Sequence, residues 1–215
     1  MFTAETYIAR RRRLREDLKS GLILFLGNGR SSMNFPDNEY LFRQDSSFLY
    51  FWGIDSPGLA AIIDIEQDRE IVFGYEPAAD DFIWSGPQPT LKAYCLQCGV
   101  THVATPARLN VTLNEAVRKG RPIHFLPQYR PENLIRLQEF LGLNVAVVNY
   151  HASPAFIKAV VAQRSVKSEE EIQQIETALD VTYDMQTLAM RTAQPGMSEK
   201  EIVYFRSHRN RQPGA

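Results

Sequence analysis

Apolar positions at the start of the chain recur with helical spacing. Tyr7, Leu14 and Leu18 share one face of residues 4–18, with Ile8 beside it, which predicts an amphipathic helix. Arg10, Arg11, Arg12 and Arg13 cover most of the other surface and read as a solvated face. Gly21 stands where a helix stop belongs. The run Leu22 to Leu26 is continuously apolar, as in a strand buried on both faces. A polar loop with Gly27, Asn28, Gly29 and Pro36 follows. Phe48 to Trp52 is aromatic and ends at Gly53, which predicts another strand. The apolar runs from residue 60 to 65 and from 70 to 75 flank a polar turn at Gln67 and Asp68, the pattern of a hairpin.

Beyond Tyr75 the period changes. Helices are predicted over 90–98, 110–119 and 131–141, each closed by a glycine (Gly99, Gly120, Gly142). Short strands are predicted over 102–104, 123–126 and 145–148. Such alternation after an antiparallel start defines an α/β class, with a mixed sheet and helices on both faces. Residues 153–162 read as a short helix or connector. Ser168 and Glu171 have the spacing of a capping box. Ile172, Ile175, Leu179, Met185 and Leu188 then continue a helix to about Gln194, before Pro195 and Gly196. Ser198 and Glu201 repeat the capping spacing. The segment from Arg206 to Ala215 offers no apolar face to continue a helix, and reads either as a disordered tail or as the product of a lost reading frame near Tyr204.

The 215 residues are 44% hydrophobic and carry a net charge of -1, enough for one domain with a remnant or for two small ones. That balance argues against a nucleic-acid partner. No apolar run reaches the roughly 18 residues of a membrane helix, and no secretory signal is visible, so the cytoplasm is the expected location. Cys95 and Cys98 lack a second ligand pair for zinc and sit at a helix end, so they read as ordinary buried thiols. His102, His124, His151 and His208 are isolated from one another. Metalloprotease, nucleophile-elbow and dinucleotide motifs are all missing.

One polar cluster precedes the aromatic run: Asn38, Tyr40, Arg43, Gln44, Asp45 and Ser46. Its simplest reading is a loop anchor. Arg43 and Asp45 are able to pair, and Asp45 or Ser46 to satisfy backbone amides at the strand entrance. Trp84 lies among turn formers, and reads either as packed under its loop or as an interface anchor.

The string Asp37-Asn38-Glu39-Tyr40-Leu41-Phe42-Arg43-Gln44-Asp45-Ser46-Ser47-Phe48-Leu49-Tyr50-Phe51-Trp52-Gly53 resembles a stretch of aminopeptidase P enzymes, of the creatinase/prolidase superfamily. The arginine-rich segment from Tyr7 to Leu14 resembles that family's first helix, and Phe82-Ile83-Trp84-Ser85-Gly86 its tryptophan–glycine segment. Gln163 to Met197 resembles the start of its pita-bread catalytic domain. The four motifs stand in the family's order across residues 4–203.

The resemblance implies a three-layer, mixed-sheet N-terminal domain over 1–162, a helical remnant of the catalytic domain over 163–203, and a tail over 204–215. It implies that the full-length enzyme removes the N-terminal residue preceding proline, using two divalent metals, usually manganese, held by two Asp, one His and two Glu. Those ligands are expected beyond this sequence, so no metal site, no catalytic residue and no peptidase activity are expected in the chain alone. Homo-oligomers are implied, with Glu39 and Trp84 approaching a neighbouring subunit's substrate pocket. A histone chaperone's related domain supplies the alternative, a stand-alone module that binds proteins or peptides. A fragment of a prolidase or creatinase relative is the other alternative.

Overall fold

The computed structural model describes residues 2–77, 83, 86 and 88–203. The chain divides into two compact units, Met1–Ser165 and Val166–Ala215.

The first unit is built on β1 (Leu22–Leu26), β2 (Ala60–Asp64), β3 (Arg69–Phe73), β4 (His102–Ala104) and β5 (Ile123–His124). Their order across the sheet is β4-β3-β2-β1-β5. The central pairs β1–β2 and β2–β3 are antiparallel, whereas β4 runs parallel to β3 and β5 parallel to β1. Every residue of β1 and β2 is buried, which explains why these strands read as unbroken apolar runs.

The pleat sends alternate side chains to opposite faces. Ile23, Phe25, Ala61, Ile63 and Val72 enter one core, with Tyr7 and Leu14 of α1 (Ala4–Leu18), Phe51 and Trp52 of α2 (Ser46–Trp52), and Cys95 of α3 (Leu91–Gln97). Phe156 of α6 (Pro154–Ser165) joins them. Leu22, Leu24, Ile62 and Phe73 enter the other core, with Leu109 and Leu113 of α4 (Pro106–Arg118) and Leu137 and Phe140 of α5 (Pro131–Leu141). The predicted three-layer α/β domain with a mixed sheet is therefore what forms.

Four expectations are corrected. The aromatic run at 48–52 is not a strand but most of α2. The Asp45 carboxylate accepts from the amides of Ser47 and Phe48, and Gly53, at φ +66°, closes the other end. These caps, with burial of Phe48, Phe51 and Trp52, override the β preference of aromatic residues. Residues 145–148 do not pair with the sheet. The Asn144 carbonyl accepts from Val147 and Val148, and a 3-10 turn follows over Val148–His151. The strand expected over 123–126 pairs only at Ile123 and His124. Lastly, Arg10 and Arg11 are buried rather than solvated. The Arg11 guanidinium donates to the Phe51 carbonyl at 2.8 Å, the Cys98 carbonyl at 2.9 Å and Glu70 at 2.8 Å.

The second unit holds α7 (Glu169–Thr192), which starts with the predicted capping box of Ser168 and Glu171. It ends two residues earlier than expected, at Thr192, with Ala193 already extended ahead of Pro195. No residue of α7 is buried, and Ile172, Ile175 and Leu179 are exposed. Residues 199–203 are helical, and Glu201 reaches back to the Ser198 amide as its spacing predicts.

Candidate functional site

The polar cluster of the sequence becomes a buried knot at the end of β1. Gln44, only 3% exposed, ties three stretches of backbone together. Its Oε1 accepts from the amides of Asn28 (2.8 Å) and Asp45 (2.9 Å). Its Nε2 donates to the carbonyls of Ser56 (2.7 Å) and Ile54 (3.4 Å). Both ends of the amide are thereby used. The knot is close: a Cβ on Gly27 would lie 3.0 Å from Gln44 Oε1 and 2.9 Å from the Leu59 carbonyl. Asn28 Nδ2 donates to the Arg43 carbonyl and to the Tyr129 hydroxyl, both at 2.9 Å. Arg130 Nη2 donates to the Gly29 carbonyl at 2.9 Å and to Ser31 Oγ at 2.6 Å.

From this base residues 31–40 form a small ribbon. Tyr40 N donates to the Ser31 carbonyl, Met33 N to the Asn38 carbonyl, and Ser32 bridges Glu39 in antiparallel fashion. Arg30 Nη1 donates to Glu39 Oε2 at 2.7 Å. The ribbon and its exit carry Met33, Phe35, Tyr40 and Leu41 into solvent, Leu41 at 97% exposure.

The structure thus separates the predicted residues. Gln44 and Asp45 belong to the knot. Glu39 and Tyr40 ride on the ribbon, and the Arg43 side chain is exposed. Ser46 opens α2 at the mouth of a cleft. Arg43 does not pair with Asp45; the Asp45 Oδ1 is occupied by two amides, as an N-cap requires. Trp84, with its neighbours Phe82 and Ser85, lies outside the described residues. Replacing Asp45 by alanine should lower stability by about 1 kcal/mol, as loss of an N-cap does. Asparagine there should retain most of it, and urea unfolding monitored by circular dichroism measures both.

Asn28, Tyr129 and Arg130 were not foreseen. Asn28 carries the one available signal, a polar side chain immediately past a buried strand. Tyr129 and Arg130 reach the knot from about a hundred residues away, and nothing local marks them.

Cys95 and Cys98 are free and buried. Burial first, and then the neighbouring Cys98, pushes the Cys95 thiol up to about 12, and burial raises Cys98 as well. Both shifts disfavour the thiolate, the reactive form of cysteine. His124 sits 2.9 Å from Ser153 Oγ and 3.0 Å from the Ser20 carbonyl, a structural pairing. Among the described residues no group of three or more His, Cys, Asp or Glu side chains is placed to hold a metal ion.

This architecture, a mixed five-stranded sheet between two helical layers with a long capped helix after it, defines a class that comparison with known proteins makes specific. A family model described as the aminopeptidase P N-terminal domain matches residues 7–124. The chain belongs to that family. A probable Xaa-Pro aminopeptidase of Aspergillus fumigatus is 26% identical over 203 residues, covering 90% of this chain and 42% of the relative. Another, from Penicillium rubens, is 29% identical over 187 residues, covering 85% of this chain and 35% of the relative. The chain thus spans less than half the length of these relatives. Among solved structures, Escherichia coli aminopeptidase P in a low-pH form superimposes with a TM-score of 0.78 at 22% identity, covering 97% of this chain and 49% of that one. A zinc-substituted form of the same enzyme in complex with product gives a TM-score of 0.75. No helix among the described residues is long and apolar enough to cross a membrane.

Proposed function

We propose that this chain serves as the non-catalytic N-terminal part of a Xaa-Pro aminopeptidase, in which it supports oligomers and shapes the substrate pocket. The observation that carries the reading is the family match over residues 7–124, joined to relatives named for that activity of which the chain spans 42% or less. The enzyme as a whole removes an N-terminal residue preceding proline, in the cytoplasm, from peptides rather than nucleic acid. Two divalent metals, manganese by preference, would be held by the catalytic part of that enzyme and would supply an activated water there. Within the chain, residues 1–162 are the N-terminal domain, 163–203 the entry to the catalytic domain and 204–215 a tail.

The knot at Gln44 supports the shaping role. It fixes the base of the ribbon, which presents Glu39 and its apolar neighbours outward toward a second subunit. Trp84 is assigned to the same neighbouring pocket.

Two measurements test this reading. The purified chain with manganese should cleave no Ala-Pro bond and should bind no stoichiometric metal. Sedimentation equilibrium should find it self-associated. Turnover with two bound manganese ions would sink the non-catalytic assignment, and a strict monomer at high concentration would sink the oligomerising role.

A further inference from the structure

A cavity of about 250 Å³ opens in the first unit, where α1 passes the first residues of β3 and β4. Its wall depends on a close approach. Gly99, at φ +76°, brings the turn after α3 so near α1 that a Cβ there would lie 2.5 Å from Ile8 Cδ1. Among the described residues Arg15, Asp68, Arg69, Glu70, Thr101 and His102 supply the polar lining. The volume falls below that of a typical small-molecule site and suits a compact polar group.

The carboxylates around this cavity are occupied, and one cation is not. Glu70 accepts from Arg11 Nε at 2.8 Å and from Arg15 Nη2 at 2.6 Å, and Asp68 pairs with Arg15. Asp64 stands across from Arg69 in the β2–β3 register, yet Arg121 holds its two oxygens at 2.6 and 3.1 Å. Among the described residues no hydrogen bond, ion pair or ring contact engages the Arg69 guanidinium, and its Nε is shut off from water without a partner. Arginine carries donors only, so an acceptor is what the site lacks, and a buried donor left unpaired costs stability. The register sets a second open donor beside it. His102 pairs with Ile71, two residues on from Arg69, so Arg69 and His102 share one face of the sheet as diagonal neighbours. Thr101 and His102 are exposed, and neither side chain has a hydrogen bond or ion pair among the described residues.

We propose that this cavity binds a phosphate group, with the Arg69 guanidinium and the His102 ring donating to its oxygens and the Thr101 hydroxyl at the rim. A phosphate offers more acceptor oxygens than a carboxylate and meets the planar fork of an arginine two bonds at a time. The same group is supplied by inorganic phosphate and by a phosphomonoester. No residue of the ribbon takes part, so the proposal stands whether or not the ribbon meets a second subunit.

The test is a backbone-amide NMR titration of the whole 215-residue chain at constant ionic strength. Inorganic phosphate should perturb residues 69–71 and 101–103 saturably, with a dissociation constant of about 1 mM. Acetate should bind about tenfold more weakly or not at all. Arg69→Gln should weaken phosphate by about tenfold. Thr101→Glu, on an exposed side chain, should abolish binding with the circular dichroism spectrum unchanged. Phenyl phosphate separates the sources: binding tighter than inorganic phosphate assigns a phosphomonoester, and binding equal or weaker assigns the free ion. Acetate as tight as phosphate, unchanged affinity in both Arg69→Gln and Thr101→Glu, or no saturable perturbation would overturn the proposal.

Discussion

Arg11→Leu should destabilise the first unit by about 3–5 kcal/mol, the cost of removing one partner from a buried charge network. The side chain is fully buried, with Cζ 4.8 Å from the Trp52 ring centroid. Its three bonds join the C-terminal end of α2, the end of α3 and strand β3 to α1. Leucine fills only part of the volume and leaves the carbonyls of Phe51 and Cys98 without their donor. Glu70 keeps one cation, since Arg15 Nη2 lies 2.6 Å from its Oε1, so the loss falls mainly on the carbonyls. Urea unfolding should show a lower midpoint with an unchanged slope. In the double variant Arg11→Leu/Glu70→Leu the combined loss should be smaller than the sum of the two single losses. A single variant within about 0.5 kcal/mol of the parent, the range of an ordinary surface substitution, would show the arginine to be solvated in solution.

Gln44→Leu should cost about 2–4 kcal/mol, because it strands buried groups on both sides of the side chain at once. The amides of Asn28 and Asp45 lose their acceptor, and the Ser56 carbonyl loses its nearest donor. The local consequence should exceed the global one. With its base untied, the ribbon at 31–40 should become a preferred site of limited proteolysis while the sheet stays protected in hydrogen exchange. Cleavage no faster than in the parent would show that the ribbon is held by Arg130 and Asn28 without the glutamine. Gln44→Glu keeps an acceptor but lacks the amide donor, and should fall between the two.

The residues that gave themselves away in the sequence did so by local signals. The hairpin of β2 and β3, the helix over Pro131–Leu141 and the capping box at Ser168 depend on spacing, caps and turn formers a few residues apart. Asp45 and Gly53 were equally local signals for α2, a cap and a stop on either side of its seven residues. The aromatic run between them masked the assignment, because aromatic and β-branched residues favour strands wherever packing does not decide otherwise. Arg11 was unreadable for another reason. Its partners lie 40, 59 and 87 residues away, so the arginine run could not be divided into solvated and buried members by periodicity alone. The same holds at the candidate site. The family motif singled out Gln44, but its role as a three-way tie depends on Asn28 and Ser56 arriving from separate loops.

The outer strands of the sheet are very short: β4 spans His102–Ala104 and β5 only Ile123–His124. A longer rim would offer a row of open amides and carbonyls on which a foreign chain could grow as an added ribbon. These rims give such a template almost no length. When copies of this protein meet, side chains rather than backbone should do the joining, and the β-rich interior is shielded from seeding fibres.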